Sequence, residues 1–524
     1  AQLVSALRTR YPEVTVAEVY DHPAVGDLAA HLAARWPDAE ATTLPPGAAP
    51  ARPVPPGAQA VQLLALLPLR TLVGLRWLTA LAAVNAVLDA LWQVPWAVGV
   101  SWWWVLAGWV LTVSPVGRMG VTALAARLLL AGVSPGTYPR GGSVHLRLWA
   151  AERLAEGFGA LTPTSAPWVG LYARALGVRM GPDVDLHTVP PVTGMLTLGA
   201  GCAVEPEVDL SGHWVDGDVV HIGAVTIGAG ATVGARSVLY PGADVGPGTD
   251  VAAGSAVHGT TGDAEYWVGS PATRAHEARH PWPAARPVPA RAAGWVLAYG
   301  AAGTLVGALP VLAVGVGLLL LAPAVRAAPT LGDAVGPVLL AGLAATAAAY
   351  LCYAVLVVVT VRLFGRGIQE GYHPVRSRAG LQAWTVERLM DAARTVLFPV
   401  YSAVGTPVWL RLLGAEVGRG TEISTVVGLP GMMRLKDGAF LADDTMVAPY
   451  ELGGGWVRVA SAKVGRRAFV GNSGMTAPGR TVPKNGLVAV LSATPRRTRA
   501  GSSYLGSPPV LLPRDATLDD PGRT

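Results

Sequence analysis

Aliphatic residues return every six positions through two long stretches of this chain, and no other feature limits its folding so strongly. The first run is Ile227, Val233, Leu239, Val245, Val251 and Val257, with Leu198, Val204 and Leu210 spaced the same way before it. The second keeps Val464, Val470, Val482 and Val488, with Thr476 in the remaining place and Leu435, Leu441 and Val447 upstream. A helix repeats at about 3.6 residues and a strand at about 2, so six belongs to neither. It fits a left-handed parallel β-helix, whose coils each hold three flat strands of about six residues. One aliphatic side chain per strand points inward, and Gly, Asp and Asn take the corners, where φ is positive. A Gly-Ala-rich loop gives no reason for six aliphatic residues in phase.

The two stretches are copies. Trp149-x-x-Glu152-Arg153-Leu154 recurs as Trp384-x-x-Glu387-Arg388-Leu389, a shift of 235 (387 − 152). Arg127-Leu128 and Pro139 recur as Arg362-Leu363 and Pro374 at that shift. From Arg174 to Pro271 the shift is 237 (411 − 174) without a gap, taking Val233-Gly234 to Val470-Gly471 and Gly269-Ser270-Pro271 to Gly506-Ser507-Pro508.

What lies between the copies is apolar. Of 524 residues, 51% are hydrophobic and 14% charged, against about 25% charged in ordinary soluble proteins. Four segments reach the roughly 20 apolar residues that cross a bilayer: Thr71–Leu91, Val94–Val113, about Trp295–Leu321 and about Val335–Val361. Arg76 and Asp89 stand near the ends of the first, where they can snorkel. Arg118, Arg127, Arg140, Arg147, Arg291, Arg362 and Arg366 flank the pairs, while the tips hold little positive charge. The positive-inside rule then places the tips outside and both soluble copies in the cytoplasm. A net charge of +6 does not call for nucleic acid. Cys202 and Cys352 cannot make a disulfide framework, and Cys202 reads as packing.

The fold expected is mixed: two left-handed parallel β-helix domains, each preceded by a transmembrane α-hairpin, behind the end of a helical domain. The boundaries are 1–37 for that helical end, 38–60 for a Pro-rich linker and 61–115 for the first hairpin. Residues 116–290 form the first connector and β-helix, 291–363 the second hairpin, and 364–524 the second connector and β-helix.

The six-residue repeat resembles the hexapeptide-repeat acyltransferases. Tyr11-Pro-Glu-Val-Thr-Val-Ala-Glu-Val-Tyr20-Asp21-His22-Pro23 with Val25-Gly26-Asp27-Leu28-Ala29 is similar to the last helices of a nonribosomal carrier (thiolation) domain. The combination, with Asp216-Gly217-Asp218-Val219-Val220-His221-Ile222-Gly223, Phe440-Leu441-Ala442-Asp443-Asp444, Phe469-Val470-Gly471-Asn472-Ser473 and Leu505-Gly506-Ser507-Pro508-Pro509, resembles the C-terminal membrane region of the epsilon-poly-L-lysine synthetase family. These are single-module nonribosomal peptide synthetases with three hexapeptide-like domains, of which two are visible here. The resemblance implies a bacterial inner-membrane enzyme, multi-pass, with its N-terminus cytoplasmic. It implies an upstream adenylation domain that uses ATP and an upstream carrier serine bearing phosphopantetheine. The reaction implied is aminolysis of an aminoacyl thioester by a free amino acid or growing chain, building an amino-acid homopolymer. The alternatives are a membrane acyltransferase using acyl-CoA and a non-catalytic scaffold for carrier and product. The partners implied are the bilayer, the carrier and adenylation domains, and a pseudo-trimer or homo-oligomer of β-helices.

Amide formation needs a base and donors for the oxyanion. The first copy holds His187, His213, His221 and His258; the 237 shift takes them to Ser424, Tyr450, Arg458 and Pro495. His221, then His213, are the candidate bases, with Asp216 and Asp218 beside them to orient an imidazole or hold an amine. Glu207, Asp443, Asp444 and Glu451 are candidate carboxylates for an ammonium group, and Asn472 a candidate amide donor. Solvated coil corners are the competing reading of all of these. No metal site is expected.

Overall fold

The computed structural model describes residues 3–4, 7, 11, 14–22, 24–36, 52–285, 287, 292–401 and 404–512. The expected linker lies outside the described residues as far as residue 51, as do Pro23 and Arg291. The chain divides into two compact units, Ala1–Pro53 and Val54–Thr524. In the first, helices Val16–Asp21 and Val25–Arg35 pack Leu28 and Leu32 against Val4 and Val14. A capping box opens it: Thr15 Oγ1 accepts from Glu18 N, and Glu18 Oε2 accepts from Thr15 N.

In the second unit, Pro56–Ala90, Ala292–Ala327 and Leu331–Gly365 are long and apolar enough to cross a membrane. The first of these absorbs residues 56–60 of the expected linker. The segment expected to span over Val94–Val113 differs. Helix begins only at Trp102, passes into a π-helical turn at Trp109–Val113, and stops at extended Ser114. Pro115 then starts a new helix to Leu129, bent by 57° from the last. Proline tolerates the first helical position but not the interior, and Ser114 Oγ caps the new start by accepting from Gly117 N. The two hairpin tips meet, with Trp96 Nε1 donating to Ala328 O at 3.2 Å and Arg326 over the Trp92 ring.

Both six-residue runs fold as stacks of parallel strands. Val245 pairs with Ile227, Val251 with Val233 and Val257 with Leu239. Each partner is 18 residues on (245 − 227), so a coil has three sides of six. The periodic residues are the core of the stack, every one under a tenth exposed. Cys202 lies in the same core. Thr476 holds its aliphatic place because Thr494 Oγ1 lies 3.0 Å from its hydroxyl and satisfies it in the dry interior. Coils approach so closely that a β-carbon at Gly228 would stand 2.4 Å from Pro247 N.

The largest departure from this interval is the same in both stacks. Leu198 pairs with Ile227, 29 residues on (227 − 198), and Leu435 with Val464 at the same distance. The surplus leaves each stack as an antiparallel hairpin: His213–Asp216 with Val219–Ile222, and Glu451–Gly453 with Trp456–Val459. Gly136–Pro139 and Gly371–Pro374 add a third strand to each. These hairpins carry most of the residues singled out above.

Candidate functional site

The first hairpin separates its two histidines. His213 stands opposite Ile222, and Trp214 opposite His221. Opposed residues share a face and neighbours alternate, so His213 and His221 point to opposite sides. His221 Nδ1 lies 3.1 Å from Thr137 Oγ1 on the added strand. Asp216 and Asp218 are exposed at the hairpin tip. His213 instead faces the connector helix Ser143–Phe158, with Nδ1 3.4 Å from Glu152 Oε1. That is long for a hydrogen bond, and Nδ1 has no nearer partner among the described residues.

Beside this pair opens a cavity of about 850 Å³, lined by Glu152, Tyr172, Val189, Glu207, Asp209 and His213 among others. Burial raises the pKa of Glu152 above the usual carboxylate range, with the neighbouring His213 and Arg153 opposing the shift. The space is of ordinary size for a small-molecule site. Its polar groups converge from the connector helix, a coil corner and the hairpin.

The same place in the second copy is closed. Glu387, Arg388 and Tyr450 stand where Glu152, Arg153 and His213 stand in the first. The first stack packs into that groove. His187 Nδ1 lies 2.7 Å from the Tyr450 hydroxyl, and Arg388 Nη2 donates to His187 O at 3.3 Å. Beside the Tyr450–His187 contact a void of about 10 Å³, lined also by Tyr299 and Trp384, holds at most one water. Burial pushes His187 down to about 3 and Glu387 up to about 7, and it lifts Tyr450 well above its usual range. Glu205 completes the seam: Oε2 accepts from Ala235 N and Oε1 from Leu452 N of the second stack, both at 2.8 Å. Burial, with the Glu451 carboxylate adding to it, pushes Glu205 up to about 8.

Most of the expected amine-binding residues are engaged by the protein's own donors. Arg236 joins Glu207 Oε2 at 2.6 Å to Asp444 Oδ2 at 3.0 Å across the two stacks, and Arg394 holds Asp444 Oδ1 at 3.0 Å. Asp443 accepts from Thr425 and Ser424. Glu451 accepts from Arg458 at 2.6 Å, and Asn472 Oδ1 accepts from Ser473 Oγ. Of the expected set, only His213 and Glu207 line the cavity; His221 does not. Glu152, which also lines the cavity, stands outside the expected set, although the repeated Trp-x-x-Glu-Arg motif displays it. Among the described residues no group of three His, Cys, Asp or Glu is placed to hold a metal.

Two stacks of hexapeptide coils, each bearing an ejected hairpin, define a tandem parallel β-helix protein with helices long and apolar enough to cross a membrane. No family model matches the chain. A curated relative, the delta-poly-L-ornithine synthetase of Acinetobacter baumannii (strain AB307-0294), is 27% identical over 403 residues, 74% of this chain. The chain is thus similar to a poly-amino-acid synthetase, the kind of protein its motifs resemble. It spans 30% of that relative's length. Among solved structures, serine acetyltransferase of Neisseria gonorrhoeae is 18% identical with TM-score 0.20, covering 32% of this chain and 57% of that one. A maltose O-acetyltransferase from Clostridium difficile 630 is 12% identical with TM-score 0.23, covering 28% and 92%.

Proposed function

We propose that this chain is the membrane region of a poly-amino-acid synthetase and that it joins an aminoacyl thioester to an amine in the cavity of the first stack. The observation that carries this reading is the His213–Glu152 pair at the wall of that cavity. A proton on Nδ1, facing Glu152, leaves Nε2 basic, the tautomer a general base needs. His213 takes a proton from the amine as its nitrogen attacks the thioester carbonyl; the C–S bond then breaks, and the proton passes from His213 to the leaving thiolate, which departs as the thiol. Glu152 orients the ring and stabilises the imidazolium. Asp209 gives the cavity wall a negative charge that favours ammonium-bearing substrates, Glu207 being held by Arg236.

A phosphopantetheine arm on a carrier, loaded by an ATP-using adenylation domain, supplies the activated acyl group. Residues here fit such an arm: Val189, Trp214 and Val215 line the cavity and are exposed, an apolar mouth for a thin chain. The carrier-like helices at the N-terminus and the relative's printed name support the same reading. We place the chain in a bacterial inner membrane, hairpin tips outward, with the stacks wound left-handed. An acyl-CoA acyltransferase would use the same cavity. A scaffold role suits the second stack, whose groove is filled.

The test uses the full-length synthetase with a loaded carrier. His213→Ala is expected to abolish amide formation while adenylation and loading continue, and His221→Ala to leave it intact. Undiminished product from His213→Ala would remove this site from the mechanism.

A further inference from the structure

Two arginines stand together behind the cavity without a carboxylate. Arg76 lies on the first apolar helix, and Arg118 on the helix that begins at Pro115. A β-carbon at Gly159 would be 3.5 Å from Arg118 Nη1 and 3.7 Å from Arg76 Nη1, so both guanidinium tips reach the same point. Gly159 caps the connector helix that carries Glu152, and it lines the cavity. Arg118 gives Nε to Thr112 O at 3.2 Å. Among the described residues neither arginine has an acidic partner within the 4.0 Å of an ion pair. The end of the connector helix offers the pair roughly half a negative charge, which leaves most of two positive charges unbalanced.

Their depth is marked by their neighbours. Trp77, Leu78 and Leu81, just past Arg76, are exposed at 67%, 61% and 65%. Val116, Leu124 and Leu128 on the second helix are exposed too. Large bare apolar surface beside charge is the pattern of a membrane interface, where phosphates lie.

The duplication provides a control. Carrying the 235 shift of Arg127–Leu154 outward, Arg76 and Arg118 fall on Val311 and Tyr353, and Gly159 falls near Arg394. Arg394 is neutralised by Asp391 and Asp444. Among the described residues this arginine pair therefore has no counterpart at the same place in the copy whose groove is filled.

We infer that Arg76 and Arg118 form a binding site for a phosphodiester group at the membrane face of the first-stack cavity. Guanidinium forks suit phosphate oxygens geometrically. Two sources share that chemistry: a phospholipid headgroup, and the phosphate of a phosphopantetheine arm entering the cavity. The second source rests on the proposed thioester chemistry; the site itself does not.

The test measures binding and not turnover. The full chain in detergent is unfolded by heat while tryptophan fluorescence is followed, in the presence of short-chain phosphatidylglycerol, phosphopantetheine, or pantetheine lacking phosphate. We expect a phosphorylated ligand to raise the midpoint and pantetheine to have no effect. Arg76→Gln/Arg118→Gln should weaken that ligand at least roughly tenfold, as expected from losing charge-assisted bonds. Arg76→Lys/Arg118→Lys should retain part of the affinity. A shift with lipid alone assigns the site to the bilayer, and a shift with phosphopantetheine alone assigns it to the arm. No shift with either ligand, or an equal shift with pantetheine, overturns the inference without need of any variant. An unchanged affinity in the folded double-glutamine variant overturns it as well. Failure of His213→Ala to affect amide formation would sink the catalytic reading and leave this binding result standing.

Discussion

Glu205 makes the seam between the two stacks sensitive to pH, and Glu205→Gln should remove that sensitivity. The carboxyl is fully buried, bonded to backbone amides of both stacks, and pushed up from 4.5 to about 8. The unfolded chain releases this proton near pH 4.5, while the folded chain keeps it until about pH 8. Between those values the folded state holds the extra proton, so stability falls as pH rises and levels off above the folded value. One unit of pKa is about 1.4 kcal/mol. A window from 4.5 to about 8 therefore costs on the order of 5 kcal/mol. Glutamine resembles the protonated form, with one acceptor oxygen and no titration, so the variant loses this slope. Glu387, raised to about 7 by burial, adds a slope of the same sign, and His187, lowered to about 3, adds the opposite one at acid pH. Only the difference between wild type and Glu205→Gln isolates the residue. Denaturant unfolding from pH 5 to pH 9 measures it. Parallel stability curves for the two proteins across pH 5–8 would refute the reasoning.

Three further outcomes follow from the same packing. Glu152→Gln should slow amide formation by roughly a hundredfold, in the range of lost acid-base support, with carrier loading unchanged in a radiolabel assay. Arg236→Ala should destabilise the chain by about 2 kcal/mol in denaturant unfolding; charge-assisted bonds of ~1.5–3 kcal/mol each are discounted because Glu207 and Asp444 are 35% and 41% exposed. Gly228→Ala should lower the thermal midpoint and yield of the chain, since its β-carbon would meet Pro247 N at 2.4 Å and overpacking costs ~1–3 kcal/mol.

The coils were legible in the sequence because their side chains repeat in register with the backbone. Ile227 under Val245 is a local rule applied again, and even Thr476 keeps its place. The bounds of the second apolar segment were not legible because hydropathy counts residues, whereas Ser114 and Pro115 decide where a helix can continue; with the helix from Pro115 it passes for a single bent span. The site was legible in part. Chain proximity suggested that His213, Asp216, Asp218 and His221 act together, but a strand turns alternate residues to opposite faces. The pairing of the acidic cluster was hidden for another reason. Net charge near Asp444 cannot be summed from sequence when its partner Arg236 arrives from a coil 208 residues away. Glu152 lay in plain view in a repeated motif, and only the tertiary approach of the hairpin gives it a role.

Duplication leaves two grooves with one ancestry in sequence and opposite fates in structure. Where the first has His213, the second has Tyr450, whose hydroxyl is bonded to His187 of the first stack. A tyrosine lifted well above its usual range by burial is a poor base near neutrality. It is a good donor, and it serves here to fasten one prism to the other. The residues that close the second groove, His187, Arg236 and Glu205, all come from the first stack. Their counterparts at the 237 shift are Ser424, Ser473 and Ala442, which offer neither the charge nor the length to close the first groove in the same way. The asymmetry is thus written twice, in the lining of each groove and in the edge that meets it. A variant that restores symmetry on one side only, Tyr450→His, should leave the second groove filled and gain no activity. Amide formation by Tyr450→His in a His213→Ala background would show that the closed groove opens, and that packing is not what separates the two copies.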